Sequence, residues 1–151
     1  MPQIILKENR MLSLDNVFMF TKQAVRIDEL DAVVLEFQEL LQNMKITTYG
    51  DIVLKTCGTK MTDTGTVITD CELMAQCVDP HTPDVLQKMN VSPCLYVRYQ
   101  GHPEYIHYVY QKLELFTFEH EIITNGVIYT IVSKQKNDEV ICELYQEVGM
   151  V

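Results

Sequence analysis

Two stretches of the sequence carry apolar residues at alternating spacings of three and four positions. The apolar positions of the first stretch are Ile27, Leu30, Val34, Phe37, Leu41 and Met44, and those of the second are Ile106, Val109, Leu113 and Phe116. This spacing follows the 3.6-residue period of an α-helix and places each set on one helix face. The pattern predicts two amphipathic helices, each of which must bury its apolar face against another layer of structure.

The segments that flank both helices are rich in aromatic and β-branched residues, which is typical of β-strands. The predicted strands lie at 17–21, 52–55, 66–78, 94–99, 127–133 and 140–148, with a polar turn at 134–139. Each half therefore has the order strand, helix, strand, strand. The segment 79–93 contains three prolines and predicts a linker with a short helical turn at 84–89. The apolar residues 4–6 are candidates either for an edge strand or for a surface that promotes dimerisation.

The last strand of each half carries the same tripeptide, Cys-Glu-Leu, at 71–73 and at 142–144. Together with the shared element order, this predicts an internal repeat within a single domain spanning 1–151. Repeat one covers about 14–78, the linker 79–93, and repeat two about 94–151. The predicted fold class is α+β, with duplicated β-α-β-β units forming an antiparallel sheet, two helices on one face and a groove on the other.

The alternation of a strand decides which side chains face that groove. In the last strand, Val140, Cys142, Leu144 and Val148 should face the helices, which leaves Glu143 and Tyr145 on the open face. By the same period, Glu72 and Met74 share the open face of the matching strand. Clefts between repeats are favoured ligand sites, so these residues are candidates for binding.

Composition narrows the classes of function. The formal net charge is −9 and the twelve basic residues are scattered, which argues against direct nucleic-acid binding. No run of eighteen apolar residues and no basic, apolar N-terminal leader is present, so we expect a cytoplasmic protein that does not bind a membrane. The five cysteines form no C-x-x-C pair, and the four histidines do not converge, so we expect neither a metal nor a cofactor.

Three segments of the second half resemble the GyrI-like superfamily, the effector-binding domains of multidrug-sensing bacterial regulators. These are residues 99–105 with the following helix, Gly126 to Tyr129, and Glu143 to Val148. The resemblance implies two β-α-β-β repeats around a central groove, in which a glutamate of the closing strand and nearby aromatics receive cationic or aromatic ligands. The chain departs from the family pattern at Gln146-Glu147-Val148, where Ile-Pro or Val-Pro is usual. It also contains no helix-turn-helix pattern, so a stand-alone member is expected.

Carried over by position, Glu143 would be the acid of the site, with Tyr129 and Tyr145 as its aromatic neighbours. The full set of predicted ligand-binding residues is Glu143, Tyr145, Tyr129, Glu72, Met74, Tyr96 and Phe18. For each residue the alternative is structural, because glutamates are ordinary on a solvated strand face and aromatics are ordinary in strand packing.

The main functional hypothesis is binding of a small amphipathic, aromatic or cationic molecule, in transcription regulation or drug sensing. A second hypothesis is a protein-protein adaptor or inhibitor that uses an open sheet edge or the acidic helix face of Asp28, Asp31, Glu36 and Glu39. A third is a hydrolase of reactive small molecules, with Glu143 as base and Tyr129 as its orienting partner. No catalytic motif supports an enzyme, so no catalytic residue is assigned.

Overall fold

The computed structural model describes residues 3–134 and 138–149. Within them lie two α-helices and seven strands, and every strand pair with a defined register is antiparallel. The strands are β1 (Gln3–Arg26), β2 (Thr48–Cys57), β3 (Lys60–Met61), β4 (Val67–Cys77), β5 (Val85–Gly101), β6 (Thr124–Lys134) and β7 (Val140–Val148), and the helices are α1 (Leu30–Asn43) and α2 (Ile106–Glu119). The predicted α+β class with antiparallel strands is confirmed. No helix in the described residues is both long and apolar enough to cross a membrane.

The described chain divides into two compact units. Residues 13–89 form the N-terminal unit, and residues 3–12 together with 90–134 and 138–149 form the C-terminal unit. The predicted turn at 134–139 falls partly outside the described residues, as does the end of the predicted second repeat.

In the N-terminal unit, β4 pairs with β1 and with β2, and a two-residue strand, β3, pairs with the start of β4. The core lies between this sheet and α1. Phe37 and Leu41 of α1 pack there with Cys71 and Leu73 of β4, as alternation predicts. Burial of this apolar surface is the main force that holds the helix on the strands.

In the C-terminal unit, β7 lies between β5 and β6, and α2 packs on one face of these strands. Val109 and Leu113 of α2 meet Cys142 and Leu144 of β7 in the core. The helix-facing residues predicted in β7 are all found there, with Val140 buried and Val148 partly buried. The opposite face of β7 is therefore free to carry Glu143 and Tyr145.

The two units share local backbone features. Gly50 in β2 and Gly126 in β6 have φ of 72° and 79°, and each lies where four residues of its strand advance past two residues of its partner. Positive φ costs glycine little, which suits it to such bulges. Lys45 and Glu121, which follow the two helices, also have positive φ, as helix C-termini often require. The duplication itself stays a prediction.

Several predicted boundaries were wrong. The helix predicted from Ile27 begins at Leu30, because 27–29 form a 3-10 turn, and Ile27 and Met44 are exposed while Val33 takes a core position. The predicted helical turn at 84–89 lies almost entirely in β5, which starts at Val85. The strand predicted at 17–21 belongs to a much longer β1, whose alternation is broken by positive-φ residues such as Asn9 and Asn16. A bulge interrupts the alternation of apolar and polar residues by which a strand is recognised in a sequence.

Candidate functional site

The face of the C-terminal unit opposite α2 carries a row of three tyrosines. Tyr96 of β5, Tyr145 of β7 and Tyr129 of β6 lie directly opposite one another across the three strands. The next row is formed by Arg98, Glu143 and Ile131. Because side chains that face each other across strands are within contact distance, the sheet register brings the predicted acid beside the predicted aromatics. Four of the seven predicted residues therefore lie together in this unit.

Glu143 is held by Tyr96. The Tyr96 hydroxyl donates a hydrogen bond of 2.5 Å to Oε2 of Glu143, and both side chains are half-buried. Burial raises the pKa of Tyr96 above its usual value, and the hydrogen bond to Glu143 and its negative charge raise this pKa further. The tyrosine therefore stays a neutral donor to the carboxylate throughout the physiological pH range.

Tyr145 completes this arrangement. Its ring centroid lies 4.9 Å from that of Tyr96, with 51° between the ring planes. Such tilted contacts are favourable for aromatic pairs. Burial, followed by the charge of Glu143, raises the pKa of Tyr145, while the positive charge of Arg10 acts in the opposite direction. Tyr129, across from Tyr145, is 3% exposed and lies within the sheet rather than at an open surface.

A cavity of about 290 Å³ opens beside the Tyr96–Tyr145 pair. Its lining residues are Ile5, Lys7, Arg10, Met11, Tyr96, Arg98 and Tyr145, all of which belong to the C-terminal unit. The guanidinium carbon of Arg10 lies 5.9 Å from the centre of the Tyr96 ring, within the range of a cation–π contact. The cavity thus joins aromatic faces, two apolar side chains and three basic groups.

Sequence reasoning missed most of this lining. Period two in β5 places Arg98 on the same face as Tyr96, so the pattern contained a signal for Arg98. It contained none for Lys7 or Arg10, because they lie more than eighty residues before Tyr96, in a part of β1 between the predicted strands at 4–6 and 17–21. Their position depends on tertiary pairing alone.

The remaining predicted residues lie in the N-terminal unit and have different surroundings. Glu72 faces Lys55 across β2 and β4, and their charged atoms are 3.6 Å apart. Met74 is buried next to Val53. Phe18 lies in the α1 core, where its ring stacks on Phe37 with centroids 6.3 Å apart. Phe18 therefore does not share the strand face of Glu72 and Met74, because the register of β1 turns it toward the helix.

Outside this cavity, two further features bear on what the surface could bind. Among residues 3–134 and 138–149, no group of three histidine, cysteine or acidic side chains could hold a metal ion. A wider depression of about 580 Å³ lies along the end of α2, where Leu115 and Phe118 are exposed. It contains none of the predicted binding residues.

Comparison with solved structures identifies the fold. The C-terminal domain of EcmrR superposes with a TM-score of 0.62 at 13% identity, covering 99% of this chain and 99% of that chain. The structure of SAV2435 bound to tetraphenylphosphonium superposes with a TM-score of 0.56 at 11% identity, covering 97% and 94% of the two chains. The chain has the GyrI-like fold. No family model and no curated protein matches its sequence.

Proposed function

We propose that this protein binds a small aromatic molecule in the cavity beside Tyr96 and Tyr145. The observation that carries the proposal is the pairing of two half-buried tyrosine rings, held at 4.9 Å, with an adjoining cavity of about 290 Å³. Ligand pockets typically combine apolar and aromatic walls with a few polar groups, and this volume is close to the lower end of their range of roughly 300–1,000 Å³.

The glutamate has a positioning role in this proposal. Its Oε2 accepts the Tyr96 hydroxyl, which fixes the angle of that ring toward Tyr145. Preorganised aromatic rings lose less conformational entropy when a ligand stacks on them. The fold likeness adds support for binding of an aromatic molecule, since SAV2435 has been seen with tetraphenylphosphonium, a cation that carries four phenyl rings. A stand-alone effector-binding role, in drug sensing or transcription regulation, is the wider form of the proposal.

Titration calorimetry with a neutral probe, 2-naphthylmethanol, tests this function without involving ligand charge. We expect saturable 1:1 binding, and a loss of about tenfold in affinity, or roughly 1.4 kcal/mol, in Tyr145→Ala. Tyr108→Ala is the matched control, because Tyr108 is an exposed tyrosine of α2 in the same unit. Equal affinity of wild type and Tyr145→Ala, or no heat of binding at all, would refute the assigned cavity.

A further inference from the structure

The charged side chains that line the cavity beside the tyrosine pair are all basic. Lys7, Arg10 and Arg98 line it, and no acidic residue does. This is unexpected in a chain whose formal net charge is −9. At physiological ionic strength charges act over roughly 8 Å, so a ligand in the cavity responds most to the nearest charges, which are these three cations and the single carboxylate of Glu143 bound to Tyr96.

Within the described residues, the three cations form no ion pair. Over the described part of the chain, no salt bridge involves Lys7, Arg10 or Arg98. Arg98 makes only a long hydrogen bond of 3.4 Å to the amide oxygen of Gln100, and Arg10 lies over the Tyr96 ring. Their donors to a carboxylate are therefore still available.

The acid nearest to Arg98, Glu143, forms no salt bridge with it in the described part of the chain and keeps its own negative charge, because its hydrogen-bond donor is a neutral hydroxyl. Glu143 lies directly across from Arg98 in the sheet, yet its Oε2 accepts the hydroxyl of Tyr96 instead. The corresponding glutamate of the N-terminal unit behaves differently, since Glu72 pairs with Lys55 at 3.6 Å. Glu147 lies on the same face of β7 but opposite Cys94, two positions beyond Tyr145, and it does not line the cavity.

From this arrangement we infer that the ligand is an aromatic anion, such as a small aryl carboxylate. The inference rests on the proposed function, because it concerns the charge of the molecule that fills the same cavity. The planar guanidinium of Arg98 suits two-point recognition of a carboxylate, and Lys7 and Arg10 add positive charge at the rim. The aromatic body of the ligand packs against Tyr145, Ile5 and Met11. An aromatic cation of the same size would meet three like charges and only one opposite charge, that of Glu143.

The test compares three naphthalenes that differ only in the charge of one substituent: 2-naphthoate, 2-naphthylmethanol and 2-naphthylmethylammonium. Calorimetric titration at neutral pH and low salt should rank them in that order, with the anion bound at least about tenfold more tightly than the cation. Raising the salt to about 0.5 M should reduce this preference, since the basic side chains are partly exposed to solvent.

Substitutions test whether the basic residues of the cavity cause the preference for the anionic probe. Arg98→Gln should weaken 2-naphthoate by roughly tenfold and weaken 2-naphthylmethanol by much less, because the alcohol carries no charge. The triple change Lys7→Gln, Arg10→Gln, Arg98→Gln should abolish the preference for the anion. Lys112→Gln removes one positive charge from α2 on the opposite side of the same strands, and should change nothing. All of these sites lie outside the core clusters, and circular dichroism checks the fold of each variant.

The two proposals fail in distinguishable ways. If the alcohol binds but the cation binds as tightly as the anion or more tightly, the inference about charge is overturned and the binding function stands. If the anion preference persists in the triple variant, the basic residues are not its source, and the inference is also overturned. If none of the three probes binds, both proposals fall together.

Discussion

The hydrogen bond between Tyr96 and Glu143 should make a measurable contribution to stability, and a double-mutant cycle can isolate it. The bond is 2.5 Å long, joins residues 47 apart in sequence, and ties β5 to β7. A hydrogen bond to a charged acceptor contributes roughly 1.5–3 kcal/mol. Because both side chains are half-buried and solvent screens the charge, we expect about 1–2 kcal/mol here.

Tyr96→Phe removes only the hydroxyl, so the ring contact with Tyr145 is kept. In wild type this change should lower the free energy of unfolding by about 1–2 kcal/mol, measured by urea denaturation. In a Glu143→Ala background the hydroxyl has lost this acceptor, and the same change should cost less than about 0.5 kcal/mol. The difference between the two costs is the coupling energy of the pair.

Tyr108→Phe is the control, because Tyr108 is exposed and no hydrogen bond of its hydroxyl is seen in the described residues. It should change stability by less than about 0.5 kcal/mol. A cost of Tyr96→Phe that is the same with and without the Glu143 carboxylate would show that the hydroxyl does not depend on this acceptor. The positioning role assigned to Glu143 would then be wrong.

Three other outcomes follow from the structure. The folded-state pKa of Tyr96 is raised above its unfolded value near 10, so the contribution of this group to stability is complete below pH 10 and declines as the pH rises further. When the free energy of unfolding is measured from pH 9 upward, it should therefore fall less steeply in Tyr96→Phe than in wild type. Leu144→Ala, at a fully buried position in the C-terminal core, should cost about 3–4 kcal/mol by denaturation, whereas Leu115→Ala, which is 56% exposed, should cost less than about 1 kcal/mol; equal costs would contradict the assigned core. Of the five free thiols only Cys57 is exposed, and burial raises the pKa of Cys142 to about 11. A thiol reagent at mildly alkaline pH should therefore label one cysteine in the native protein and five in denaturant. Rapid labelling of Cys142 in the native protein would disagree with its position in the core.

The sequence correctly predicted those helices and strands whose periodicity continues without interruption through one segment of the chain. The three-four spacing of Ile106, Val109 and Leu113 identified α2, and alternation in β7 placed Cys142 toward the helix and Glu143 toward the open face. These patterns are read from neighbours along the chain, because helix and strand periods repeat over only a few residues. The resemblance to the GyrI-like fold was visible for the same reason, since it rests on element order and on short strand motifs.

Elements interrupted by positive-φ residues were harder to see. Asn9, Asn16 and Ala24 break the alternation of β1, and only the apolar segments at 4–6 and 17–21 were recognised as strands. In the first half of β5, Pro93 and the polar residues suggested a linker, together with Pro80 and Pro83 just before the strand. Both strands are long because partners elsewhere in the chain hydrogen-bond to them, and β-propensity depends strongly on such context.

The amino-acid sequence by itself determined that Glu143 and Tyr145 would share one face of a closing strand, since a strand turns alternate side chains to the same side. Only the tertiary structure decided what surrounds them. In the folded chain the Tyr96 hydroxyl donates a hydrogen bond to Glu143, and Phe18 stacks against Phe37. The fold also brings Lys7 and Arg10 of the first strand to the same cavity as Arg98. These contacts join residues far apart in sequence, and their positions depend on strand register, which no local period encodes.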